Sequence, residues 1–79
     1  MYYLYVLHSE LNERKYIGST KDINARLIKH NSGSVRSTKA YRPWKIMHKE
    51  IFNNKTDARK RELELKKNGS KRKQLFDSL

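Results

Sequence analysis

Apolar and aromatic residues fall along this chain in short runs separated by polar stretches. From Tyr2 to His8 the run Tyr-Tyr-Leu-Tyr-Val-Leu-His combines aromatic and β-branched side chains, the make-up of a buried strand. After the polar stretch Glu10–Arg14, residues Lys15–Thr20 predict a second strand that forms a hairpin with the first. Asp22 is placed to cap a helix from Ile23 to about Asn31, which Ser32-Gly33 would stop. Residues 32–43 offer Arg36, Lys39 and Arg42 but little that could anchor a core, and predict a basic loop. Trp44–Phe52 predicts a third strand with broken alternation: Trp44, Ile46 and Phe52 share one parity, Met47 and Ile51 the other, so a bulge is expected. Thr56 can cap a second helix running through Ala58, Glu62 and Leu65 to near Asn68-Gly69, and a last helix, Lys71–Leu79, follows Ser70. The order β-β-α-β-α-α predicts an α/β (α+β) layer fold with an antiparallel sheet, as one domain over residues 1–79.

Side chains alternate across a strand, and directly paired residues share a face. Any hairpin register in which paired numbers sum to an odd value puts Tyr5, Tyr16 and Gly18 on one side and Leu4, Val6 and Ile17 on the other. The second side is an aliphatic core face; the first holds two phenols beside a glycine that leaves a hollow. On the first helix, an advance of about 100° per residue sets Arg26 and His30 beside the apolar Ile23 and Leu27. On the second, Glu62 falls between Ala58 and Leu65, inside the apolar stripe, whereas Glu64 lies roughly 160° away and faces solvent. A carboxylate so placed must be compensated. Either it pairs with Arg26 or a neighbouring Lys, or it serves as a ligand for a metal that keeps its waters and phosphate oxygens.

Charge narrows the choice of chemistry. With 19 Lys plus Arg against 8 Asp plus Glu in 79 residues, the formal charge is +11, and it is spread along the chain. Basic segments interleave with Tyr and Trp, which suits a nucleic acid and not a membrane surface. The absence of cysteine removes disulfides and thiolate chemistry. No window approaches the ~18 apolar residues of a membrane span, and the N-terminus lacks a signal-peptide pattern, so a soluble cytoplasmic protein is expected. Two phenols, an Arg, a His and an inward carboxylate on so basic a chain match the needs of phosphodiester hydrolysis: a cation for developing charge, a carboxylate for a divalent metal and groups that move protons.

These residues also stand in an order that resembles the GIY-YIG nucleases, in particular the small stand-alone proteins related to the nuclease domain of the bacterial excision-repair incision enzyme. Tyr3-Leu4-Tyr5-Val6 occupies the place of the GIY triplet and Tyr16-Ile17-Gly18 that of YIG. The likeness continues through Ser19-Thr20, Asp22-Ile23, Arg26-Leu27, His30-Asn31-Ser32-Gly33, Thr38, Arg42-Pro43-Trp44, Arg61-Glu62 and Leu65-Lys66. Tyr3 replaces the first glycine, and the Asn that follows the metal-binding helix in the repair enzyme has no clear counterpart, which bears on catalytic competence.

The resemblance implies a three-stranded antiparallel sheet flanked by about three helices and a DNA endonuclease that uses one Mg²⁺ or Mn²⁺. It implies Tyr5 and Tyr16 as the paired tyrosines, one of them the general base, Arg26 as the transition-state cation, His30 as a proton-transfer or phosphate-binding group and Glu62 as the metal ligand. Thr20, Lys21, Arg36, Thr38, Lys39 and Arg42 are the residues expected against the nucleic acid, with a protein partner as one source of specificity. A binding module that keeps the fold without cleavage, directed to RNA, is the alternative.

Overall fold

The computed structural model describes all 79 residues. Strands β1 (Tyr2–Ser9) and β2 (Lys15–Thr20) lead into helix α1 (Ile23–Asn31), a short 3₁₀ turn at Lys39–Tyr41 and strand β3 (Trp44–Phe52). Helices α2 (Lys55–Lys67) and α3 (Gly69–Asp77) complete the chain. The three strands form an antiparallel sheet in the order β2-β1-β3, as the resemblance implied, so β2 and β3 are free edges. No helix is long and apolar enough to cross a membrane.

The hairpin register pairs Tyr5 with Gly18 and Leu7 with Tyr16, which separates phenols from aliphatics as parity required. Both faces are nevertheless packed. Leu4, Val6 and Ile17 meet Leu65 of α2, with Leu75 and Phe76 of α3 against them. On the other side Tyr5 and Leu7 join Trp44 and Ile23 of α1. Helices therefore cover the sheet from both sides, and each aliphatic side chain buried this way contributes about 1.5–3 kcal/mol.

The expected irregularity in β3 is a bulge. Val6 pairs with His48 and Leu7 with Ile46, leaving Met47 unpaired. This shift reverses parity within the strand: Trp44 and Ile46 pack against the α1 side, whereas Met47 and Phe52 pack with the Leu4 cluster. Three boundaries differ from those the sequence predicts. The cap of α2 is Asn54, not Thr56, because its side chain accepts from the Asp57 amide at 2.8 Å. Asn68 caps α3 through the Lys71 amide, so that helix runs over Gly69–Asp77 and not Lys71–Leu79. At α2 the amide side chain two residues upstream of Thr56 supplies the same acceptor chemistry.

The basic loop is anchored more firmly than its composition suggested. Asn31 grips both the amide and the carbonyl of Trp44, at 2.6 and 3.0 Å, tying the end of α1 to the start of β3. The Trp44 indole N–H donates to the Thr38 carbonyl at 2.9 Å. Buried Ser9 donates its hydroxyl proton to the Tyr41 carbonyl and accepts from the Leu11 and Asn12 amides, which closes the hairpin turn against the 3₁₀ segment. Gly33 has φ 84° and lies under the Arg42 guanidinium, so a side chain there would be strained and obstructed.

Candidate active site

The edge strand β2 presents side chains to both faces of the sheet. Tyr16 and Gly18 face the α1 side and Ser19 the α2 side, and the candidate groups gather around that edge. The Tyr5 ring lies across the strand from Gly18, where an added methyl group would meet the Tyr5 hydroxyl at 2.5 Å. The hollow expected beside the phenols is thus filled by one of them.

Tyr5 is buried, at 2% exposure, and its hydroxyl lies 3.1 Å from His30 Nε2. His30 Nδ1 lies 2.9 Å from Thr38 Oγ1, which itself donates to the Val35 carbonyl. With its proton so committed, Thr38 accepts from Nδ1–H, leaving Nε2 as acceptor for the Tyr5 hydroxyl proton. Burial, with the nearby Arg26 and Lys29, pushes the His30 pKa below its ordinary 6.5, so the imidazole is neutral at pH 7. Burial, then Tyr16, holds the Tyr5 phenol above its usual range, so it is a proton donor and not a phenolate. Tyr16, only half-buried, packs at a tilt against the imidazole with ring centroids 4.8 Å apart and lies 6.3 Å from the Tyr5 ring.

Glu62 projects from α2 to the same edge and is buried, as helical phase required. Its partners are not Arg26. Oε1 accepts from Ser19 Oγ at 2.6 Å and from Arg59 at 2.9 Å, and Oε2 accepts from Lys66 Nζ at 2.7 Å. Burial alone would raise its pKa, but the hydrogen bonds from Lys66, Ser19 and Arg59 together outweigh that and hold the carboxyl below its usual range. Glu64 is more open to solvent and pairs instead with Arg61 and Lys71. Arg26 has no acidic partner. It lines an open cavity of about 270 Å³ with Ser19, Thr20, Lys21 and Lys55, between α1 and α2.

The donor set sets the metal that could be held. Glu62 brings one carboxylate and Ser19 one hydroxyl, and no group of three or more His, Cys, Asp or Glu gathers anywhere. That is too little for an all-protein cage but fits an ion that keeps its waters and takes phosphate oxygens, as Mg²⁺ or Mn²⁺ does.

The catalytic-domain model of the GIY-YIG family matches residues 1–75. The chain belongs to that family. It is 39% identical over 66 residues to a UPF0213 protein of Staphylococcus saprophyticus, covering 82% of this chain and 79% of the relative. A UPF0213 protein of Staphylococcus epidermidis is 46% identical over 52 residues, and that match spans 65% of this chain and 63% of the relative's length. The solution structure of a UPF0213 protein from Bacillus halodurans superposes with a TM-score of 0.59 at 28% identity, covering 98% of this chain and 82% of that one. The fold is therefore that of a small GIY-YIG nuclease domain.

Of the sequence-predicted residues, Tyr5, Tyr16, Arg26, His30 and Glu62 all lie around one sheet edge, with Thr20 and Lys21 at its end. Arg36, Lys39 and Arg42 are exposed on the loop beyond α1. Thr38 is not available to nucleic acid: at 1% exposure it is spent on His30. The neighbouring lysine expected to pair with Glu62 is Lys66, whereas sequence reasoning missed Ser19 and Arg59 as partners. The spacing held the signal for Arg59, which stands three positions before Glu62 on the same helix face as Lys66 four positions after it.

Proposed function

We propose that this protein hydrolyses phosphodiester bonds in nucleic acid, DNA in preference to RNA, with one Mg²⁺ or Mn²⁺ held by Glu62. The observation that carries the reading is the convergence at the β2 edge of a neutral hydrogen-bonded Tyr5–His30 pair, a half-buried Tyr16, an unpaired Arg26 and a buried ionised Glu62. Ser19, Arg59 and Lys66 keep Glu62 ionised while Arg26 is left without an acidic partner, which supplies a carboxylate and an unpaired cation to one site.

Tyr16 is the tyrosine able to reach substrate, because Tyr5 is covered. In this mechanism the Tyr16 hydroxyl orients the water that attacks phosphorus. The proton lost by that water leaves to solvent as the bond from phosphorus to the leaving oxygen breaks, and the leaving oxygen takes a proton from solvent. The buried Tyr5–His30 pair holds the imidazole against the Tyr16 ring and so positions that phenol. Arg26 stabilises the charge gained by the phosphoryl oxygens. A divalent cation at Glu62 would supply Lewis-acid charge to the same oxygens. The basic surface holds the strand without reading its bases, so sequence preference would come from the loop or from a protein partner.

The test is cleavage of labelled single-stranded, duplex and branched oligonucleotides with Mg²⁺ or Mn²⁺, against an EDTA control and a Glu62→Gln variant. Metal-dependent cleavage lost in Glu62→Gln is expected. Binding to RNA with no cleavage of any substrate would replace the nuclease reading by that of a binding module.

A further inference from the structure

The two oxygens of Glu62 are not equivalent. Oε1 has two donors, the Ser19 hydroxyl at 2.6 Å and Arg59 at 2.9 Å, whereas Oε2 has Lys66 Nζ alone, at 2.7 Å. The Glu62 side chain is 5% exposed, while that of Lys66 is 42% exposed. The carboxylate is therefore fixed and its counter-ion can leave. A lysine arm moving into water regains the hydration of its ammonium, and the incoming cation restores the compensation that the buried carboxylate needs.

We propose that Lys66 is the resident counter-ion of Glu62 and that a divalent cation reaches Oε2 by exchange with the Lys66 ammonium. The inference rests on the metal reading above and adds the residue that controls access to the site. A metal bound at about 2.0–2.1 Å from Oε2 would occupy the space of an ammonium at hydrogen-bond distance, and the two charges would repel. Arg59 need not move, because Oε1 stays held by Ser19 as well. The displaced ammonium stays within reach of the site: Lys66 Nζ already lies 5.7 Å from the centre of the Tyr16 ring. It also lines a groove with Lys15, Arg72 and Phe76, beside the half-buried phenol. Lys66 acts here as a positioning residue, holding Oε2 until a cation takes its place.

Mn²⁺ binding measured by calorimetry without nucleic acid, at constant pH and salt, tests the exchange. Lys66→Met is expected to bind Mn²⁺ at least about tenfold tighter than the unchanged protein, since no ammonium has to be displaced. Lys67→Met removes the same charge from an exposed neighbour that pairs with no acid and should change affinity less than about twofold. Arg59→Met should give a gain smaller than that of Lys66→Met. Glu62→Gln should abolish the binding. Equal affinities for Lys66→Met and Lys67→Met would overturn the exchange while leaving Glu62 a metal ligand. Absence of any binding that depends on Glu62, in every variant, would instead remove the metal reading and the exchange together. Lys66→Gln, which keeps a polar end, repeats the test if Lys66→Met does not fold.

Discussion

On the α1 side of the sheet the site is built from neutral groups: Tyr5, His30 and Thr38 are all buried and joined in one chain of hydrogen bonds. On the α2 side it is built from ions, with one buried carboxylate held by a serine and two cations whose arms are exposed. The first half draws its properties from exclusion of water, which keeps the imidazole uncharged and the phenol protonated. The second draws them from compensation, which keeps a carboxylate ionised where burial would neutralise it. Changes in the neutral half should therefore register first in stability, and changes in the ionic half first in turnover.

The largest effects are expected in the ionic half and at the unpaired arginine. Glu62→Gln and Arg26→Ala should each lower single-turnover cleavage by about 10²–10³ while the far-ultraviolet circular dichroism stays unchanged. Glu64→Gln should leave cleavage within about twofold, because its ion pairs with Arg61 and Lys71 lie at the surface. Equal losses from Glu62→Gln and Glu64→Gln would dissolve the distinction that helical phase draws between them.

The two tyrosines sharpen the contrast next. Tyr16→Phe should cut turnover by more than about tenfold with little change in melting temperature, since the proposed mechanism gives that hydroxyl the attacking water and its ring is only half-buried. Tyr5→Phe leaves buried His30 Nε2 without its donor and should cost about 1–3 kcal/mol of stability. Gly18→Ala should fall in a similar range, about 1–3 kcal/mol, by forcing a methyl group against the Tyr5 ring. Denaturant unfolding measures both, and a Tyr5→Phe variant as stable as the parent would show that the hydrogen bond to His30 contributes nothing.

Acid should separate the halves through His30. Its pKa is lowered by folding, so between that value and 6.5 the unfolded chain binds more protons than the native one. The contribution of the buried neutral imidazole is complete above about 6.5 and is lost as the pH falls through the lower, folded value. Melting temperatures taken from pH 7.5 down to pH 5 should decline more steeply for the parent than for His30→Gln, which has no proton to take up there. Parallel declines would place the acid sensitivity elsewhere.

Much of this division was legible in the sequence because it depends on periodicity. Strand parity alone set Tyr5 and Tyr16 apart from Leu4, Val6 and Ile17, and the broken alternation of Trp44–Phe52 marked the bulge that the structure centres on Met47. The inward position of Glu62 followed from its phase between Ala58 and Leu65. Pairings between distant segments were not legible. Nothing near Thr38 announces that it closes on His30 eight positions earlier, because the loop path that brings them together is fixed by Asn31 and Trp44. The cap of α2 was misread for a simpler reason: Asn54 and Thr56 offer the same capping chemistry, and only backbone geometry chooses between them.

The smallest effect on turnover should come from the exposed cations of the loop, which belong to neither half. Arg36, Lys39 and Arg42 are exposed, and none is paired to an acid, so their charges are free for backbone phosphates. The competing cluster at the start of α3 is already committed: Lys71 pairs with Glu64, Lys73 with Asp77, and Arg72 donates to the Leu65 and Lys66 carbonyls. Replacing all three loop residues with Ala should weaken binding to a similar degree for every sequence tested. It should also lower the log-log salt slope by about 0.7–0.9 for each phosphate that is no longer neutralised. Cleavage at saturating substrate should persist, because these cations act on the bound strand and its transition state alike. Binding measured at several salt concentrations in a Glu62→Gln background, beside single-turnover cleavage with Glu62 intact, separates the two. An unchanged slope in the triple variant would move the phosphate-tracking surface to α3 despite its internal ion pairs, and would leave the loop as scaffolding for His30.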